Sequence, residues 1–87
     1  MSLMKEIQVY TKASCPYCQR VKEYFQGRSL PFEEIDLSDK PEELAALKAR
    51  SDMNTVPQVF FDGELIGGCD DVLALDQAGK IDESLDI

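Results

Sequence analysis

The sequence predicts an α/β fold, a four-stranded mixed sheet flanked by helices. Three observations carry the prediction. Short β-branched and aromatic runs alternate with stretches of helical spacing in the order β-α-β-α-β-β-α. Asp62-Gly63, set between two apolar runs, is a two-residue hairpin signal that makes the last two strands antiparallel. The first β-α-β stretch calls for a right-handed crossover, which makes its strands parallel. With 87 residues, the chain holds a single small domain, residues 1–87, and excludes a TIM barrel or a full dinucleotide-binding fold. A hydrophobic content of 44% against 30% charged residues is a globular balance, so a thin core forms and disorder is excluded.

The elements follow in order. Glu6 to Thr11 is the first strand, with Ile7, Val9 and Thr11 alternating against Gln8 and Tyr10. Lys12-Ala13-Ser14 is a short loop. Pro16 suits the first turn of a helix, where its missing N–H is no loss, and Cys15 then becomes the N-cap. Val21, Tyr24 and Phe25 follow at helical spacing until Gly27 stops the helix. Leu30 to Leu37 reads as the second strand, with Pro31 placing its start at an edge or strand end. Asp39 with Glu42 three residues on marks a helix start, Pro41 lies in its first turn, and Leu44 and Leu47 carry it to about Asp52. Gln58 to Phe61 and Glu64 to Ile66 form the hairpin, and Gly67-Gly68 ends it. Asp70 and Asp71 open a last helix, their charges matching its positive end, and Gly79 stops it after Ala78. Lys80 to Ile87 is expected to be a short tail. Met1-Ser2-Leu3, ahead of a second methionine at Met4, is given no structural weight, as befits an expression remnant.

Nine basic and seventeen acidic residues give a net charge of −8. So acidic a surface is solubilising and argues against nucleic acid or an anionic membrane as partner. Three cysteines are too odd a number for a pure disulfide scaffold. The absence of histidine leaves a mononuclear zinc site short of a ligand and removes the usual base of serine- and papain-type catalysis. No metal site is therefore expected. The first apolar run is too short for a secretory signal and nothing approaches a membrane span, so a reducing cytoplasm is the expected location. In that compartment a cysteine pair is more often catalytic or metal-binding than structural.

Cys15-Pro16-Tyr17-Cys18 follows a strand and opens a helix. The N-cap and N3 positions are close enough for their sulfurs to bond or separate with little backbone change. Unpaired N–H groups and the helix dipole at that end stabilise a thiolate on the first cysteine, taking its pKa from about 8.5 to as low as about 5. Cys18, one turn in, is more buried and keeps a higher pKa, so Cys15 attacks and Cys18 resolves. The competing interpretation of the pair is half of a metal site. From Lys12 to Lys22 the basic residues are Lys12, Arg20 and Lys22, with no acid among them. Arg20 and Lys22 read as a solvated helix face. Lys12, in the loop beside Cys15, reads as functional.

With Tyr10-Thr11-Lys12 leading into that motif, Thr55-Val56-Pro57 before the third strand and Gly67-Gly68-Cys69-Asp70-Asp71 at the last helix, the chain resembles the dithiol glutaredoxins, a branch of the thioredoxin-like fold. The resemblance spans about residues 4 to 80. It implies a glutathione-dependent thiol–disulfide oxidoreductase acting on protein disulfides and glutathione mixed disulfides. It makes Cys15 the nucleophile and sets Tyr17 beside the glutathione. Lys12 is placed on its glycine carboxylate, and Thr55-Val56-Pro57 on its cysteine moiety through backbone bonds at Val56. Gly68, Cys69 and Asp70 receive its γ-glutamyl end. Physical chemistry accords with these roles: an exposed backbone edge pairs with an extended peptide, and a helix N-terminus accepts a carboxylate.

Each residue also has a plainer interpretation. Pro57 alone reads as a trans proline at a strand start, and only the family pattern implies a cis bond. Asp70 serves equally as a helix cap, Tyr17 as a surface aromatic and Cys69 as a small packed residue lending its N–H. The resemblance further implies no tightly bound cofactor, glutathione as co-substrate, disulfide or glutathionylated proteins as partners, glutathione reductase acting through the glutathione pool, and a monomer. Of three rivals, a redox-neutral thioredoxin-like interaction domain is set aside by the intact Cys15/Cys18 pair, and two remain in view. Some glutaredoxins hold an iron–sulfur cluster between subunits, but Pro16 departs from the glycine many of them carry. A small redoxin fed by thioredoxin reductase is the other, and the glutathione-type turn argues against it.

Overall fold

The structure, a computed structural model, describes residues 4–87, so Met1, Ser2 and Leu3 lie outside the described residues. In chain order it contains β1 (Ile7–Thr11), α1 (Pro16–Gly27), β2 (Glu33–Asp36), α2 (Pro41–Ser51), β3 (Gln58–Phe61), β4 (Glu64–Gly67), α3 (Cys69–Gln77) and α4 (Ile81–Ser84). The strands lie side by side as β2-β1-β3-β4, with β1 parallel to β2 and the other pairs antiparallel. This is the expected mixed sheet, a thioredoxin-like arrangement.

Period-2 alternation divides the core into two layers. Ile7, Val9, Val59 and Phe61 face α1, α3 and α4, where Val21, Phe25, Val72, Ile81 and Leu85 complete a buried cluster. On the other face Phe60 packs with Leu37 and Leu47 beneath α2, and Tyr10 meets Phe60 edge to face. The hairpin turn takes the form its sequence dictates. Asp62 and Gly63 both have positive φ, 50° and 81°, the type I′ requirement. Asp62 also accepts the Glu6 N–H through Oδ1 at 2.7 Å, tying the turn to the chain entering β1. Among the described residues no helix is long and apolar enough to cross a membrane.

Four expectations are corrected. The residues after Gly79 are not a tail. Ile81 and Leu85, one helical turn apart, are buried in the main cluster, and the Lys5 N–H donates to the Leu85 carbonyl at 3.0 Å. A four-residue helix cannot stand alone. Burying two such side chains contributes roughly 3–6 kcal/mol, enough to order it. The second strand is confined to Glu33–Asp36 rather than Leu30 to Leu37, because Leu30 and Phe32 turn into the core before any ladder forms. The first strand begins one residue later than expected, at Ile7. Asp39 is not the cap of α2: Lys40 holds that position with no side-chain cap, and Pro41 and the acidic pair Glu42 and Glu43 stabilise the first turn instead.

Candidate active site

The chain leaves β1 at Thr11 and reaches the first turn of α1 through three exposed residues. This loop is pinned from β2. The Ala13 N–H donates to Ser38 Oγ at 2.6 Å, and Ser38 donates in turn to Asp36 Oδ1 from its hydroxyl (2.6 Å) and its backbone N–H (2.9 Å). Those two hydrogen bonds hold the Asp36 carboxyl below the usual carboxylate range. At the root of the loop Thr11 Oγ1 donates to Glu34 Oε2 at 2.8 Å, and Lys22 Nζ reaches the same oxygen at 3.0 Å. Lys22 is thus half-buried in an ion pair with Glu34, so the expected solvated helix face does not describe it.

Cys15 is the N-cap of α1, with extended backbone and Pro16 in the first turn. The Cys18 N–H donates to Cys15 Sγ at 3.1 Å, the orphan-donor interaction expected of this helix end. The two sulfurs are joined in a disulfide with a Cα–Cα separation of 5.2 Å. The two cysteines are unequal in access: Cys18 is 2% exposed, whereas Cys15 is half-buried. Cys15 Sγ also lies 3.8 Å from the Val56 carbonyl oxygen, which couples the redox pair to the segment before β3. There the Val56–Pro57 peptide bond is cis, as the family pattern implies.

A groove of about 370 Å³ opens beside the pair, lined by Tyr17, Met53, Thr55, Val56, Pro57, Gly68, Cys69, Asp70 and Asp71. Seven of these were singled out from sequence. The wider groove at the far end of β1, lined by Met4, Ile7, Pro31 and Phe32 among others, has no redox group beside it. Lys12 is exposed in the adjacent loop and does not line the groove. Met53 lies outside every sequence motif, and Asp71 belongs to the turn motif without a role of its own. Met53 carries no local signal; a left-handed residue, Asp52 (φ 58°), ends α2 and turns it inward. The sequence marks Asp71 as part of that turn and as a partner of the helix dipole, and its N3 position also suits a cap. In the structure its Oδ2 accepts the Gly68 N–H at 2.9 Å, so the capping falls to Asp71 and leaves the Asp70 side chain exposed.

Gly67 precedes this turn at φ 134°, a conformation open to glycine. A Cβ there would strike the Asp71 side chain. Cys69 is buried at the first helical position of α3. Desolvation pushes its thiol pKa up, reinforced by Asp70 and opposed by Arg20. Arg20 sits 5.8 Å from the Tyr17 ring centroid, over its face, so its interpretation as a merely solvated face is incomplete.

The glutaredoxin family model matches residues 7–66, well over half of the chain. The chain belongs to the glutaredoxin family. It is 39% identical over 82 residues to glutaredoxin 3 of Escherichia coli K12, covering 94% of this chain and 99% of that one. Among solved structures, the glutaredoxin of Brucella melitensis is 42% identical, with a TM-score of 0.85 over 97% of this chain and 91% of that one. A buckwheat glutaredoxin solved as a glutathione complex is 35% identical, with a TM-score of 0.83 over 93% and 76% of the two chains. Membership and the bonded Cys15–Cys18 pair make the chain a glutathione-dependent thiol–disulfide oxidoreductase of the dithiol type.

Proposed function

We propose that the chain works as one domain that reduces glutathione mixed disulfides and protein disulfides, with Cys15 as nucleophile and Cys18 as resolving thiol. The proximity of Cys15 Sγ to the Val56 carbonyl carries this reading, because it sets the more accessible sulfur at the mouth of the groove. In the reduced enzyme the Cys15 thiolate attacks the glutathione sulfur of a mixed disulfide. A new S–S bond forms, the old one breaks, and the substrate leaves as a thiolate that takes up a proton. A second glutathione thiolate then attacks the enzyme-bound glutathione sulfur, releasing oxidised glutathione and regenerating the Cys15 thiolate. For a protein disulfide, Cys15 forms a mixed disulfide with the substrate and Cys18 attacks Cys15, closing the pair and freeing a substrate dithiol. A thiol tethered one helical turn away competes well with thiols in solution.

In this reading glutathione lies extended in the groove. Thr55, Val56 and Pro57 offer it a backbone edge, Tyr17 flanks it, and the backbone at Gly68, Cys69 and Asp70 receives its γ-glutamyl carboxylate at the start of α3. The exposed Asp70 carboxylate meets its ammonium group, and Lys12 swings from its loop onto the glycine carboxylate. Glutathione is a co-substrate and no cofactor is held tightly. Electrons come from glutathione reductase through the glutathione pool, in the cytoplasm, with the protein acting as a monomer. The excess of negative charge argues against nucleic acid or an anionic membrane as partner.

Reduction of a small glutathionyl mixed disulfide, coupled to glutathione reductase, tests these roles. Cys15→Ser is expected to abolish turnover. Cys18→Ser is expected to keep this activity and to lose reduction of a protein disulfide. Activity in the first variant, or loss of both activities in the second, refutes the division of labour.

A further inference from the structure

Among the described residues, Gln58 is a buried polar residue beside the groove whose chemistry the proposed mechanism leaves unused. It opens β3 directly after Pro57, is fully buried, and pairs with Tyr10 across the sheet. Its side chain turns back toward the segment between α2 and β3. Nε2 donates to the Met53 carbonyl at 3.2 Å and to the Thr55 carbonyl at 3.1 Å. The two carbonyl acceptors fix the orientation of the amide, since the opposite one would set oxygen against oxygen. Both amide hydrogens are therefore used, while Oε1 is buried and unpartnered among the described residues. A glutamine that satisfies its donors and strands its acceptor is poorly chosen for stability, because an unmade buried bond is costly.

The donors act where the groove is made. Met53, Thr55 and Val56 form one wall of it, and Val56 also approaches Cys15 Sγ. The segment has little else to hold it: the Met53 N–H is taken by Ser51 Oγ at 3.2 Å, and Asn54 and Thr55 are exposed. We propose that Gln58 is a positioning residue that clamps the Met53–Thr55 segment from beneath and so fixes the backbone edge that glutathione pairs with. This deepens the glutathione reading above and rests on it. The clamp acts on recognition and leaves the sulfur chemistry alone, since both Gln58 hydrogen bonds go to backbone carbonyls of the groove wall.

The test compares the wild type with Gln58→Met, which keeps length and removes both donors, and Gln58→Asn, which keeps the amide but is one methylene too short to span both carbonyls. With a glutathionyl mixed disulfide as substrate, Gln58→Met is expected to raise KM about 5- to 10-fold, the range for losing roughly one positioning hydrogen bond. The kcat should stay within twofold, and Gln58→Asn should fall between. The melting temperature of Gln58→Met should change by only about 5 °C, because a stranded acceptor is removed together with the donors. Backbone 15N relaxation should report faster motion at residues 53–56 in both variants.

An unchanged KM with a large fall in melting temperature would make Gln58 an ordinary core residue and overturn the proposal. So would a fall in kcat at constant KM. Should Gln58→Met fail to fold, Gln58→Asn carries the same comparison. The relaxation measurement needs no glutathione. If the wild type lacks glutathione-linked activity the substrate reading has failed, and rigid residues 53–56 in the variants would sink the clamp as well.

Discussion

The turn between β4 and α3 is where a single added methyl group should do the most damage, and Gly67→Ala tests that. Gly67 sits at φ 134°, where an L side chain is strained by about 1–3 kcal/mol. Its new Cβ would also fall on the carboxylate of Asp71, 2.5 Å from Cγ and 2.8 Å from Cβ. Asp71 must then withdraw from the Gly68 N–H, forfeiting a cap of about 1 kcal/mol. The sum is about 2–4 kcal/mol, against a total of about 4–13 kcal/mol for a domain of this size. A thermal melt should therefore fall by about 10–30 °C. Asp71→Ala isolates the cap and should cost about 4–8 °C on the same scale. Cys69 and Asp70, just after the turn, line the groove, so under the proposed glutathione site KM for a glutathionyl substrate should rise in Gly67→Ala as well. A Gly67→Ala protein no less stable than Asp71→Ala would refute both the strain and the collision.

Three further outcomes are expected. Leu85→Ala should lose about 2–5 kcal/mol in urea denaturation, as a fully buried leucine does, and a loss below about 1 kcal/mol would make α4 peripheral after all. Burial raises the Cys69 pKa, so its contribution to stability is complete below the unfolded thiol's pKa and is lost as pH rises through the folded value. In the oxidised protein, where Cys69 is the free thiol, iodoacetamide should label it slowly at pH 7 and faster as pH rises; rapid labelling of the native protein at pH 7 would contradict the burial. Ser38→Ala should move the Asp36 carboxyl up toward its ordinary pKa in an NMR titration and loosen residues 12–14, since Asp36 favours the native state above its unfolded pKa and ceases to as pH falls through its folded one. An unchanged Asp36 titration would mean that Ser38 is not its partner.

Much of the site was legible because its parts are local. Cys15, Pro16 and Cys18 specify a helix start within four residues, and Asp62-Gly63 specifies its turn within two. The groove was legible only through the resemblance, because its walls come from three separate stretches: the start of α1, the segment between α2 and β3, and the start of α3. Met53 and Gln58 bear no pattern that distinguishes them from loop and strand residues. Their roles appear once β3 pairs with β1 and turns Gln58 back beneath the loop.

The C-terminal residues mark the same boundary from the other side. Ile81 and Leu85 have helical spacing, yet an isolated turn lacks the length to be stable, so no local rule called for it. By itself the sequence determined the order of elements, the mixed sheet, the hairpin and the redox pair at a helix N-terminus, because each follows from periodicity, turn chemistry or capping over a few residues. Only the tertiary structure decided that the last residues close the core and that Gln58 reaches the groove wall. Closing the core rests on contacts between residues far apart in the chain, and Gln58, though only a few residues from Met53 and Thr55, is turned back beneath them once β3 pairs with β1.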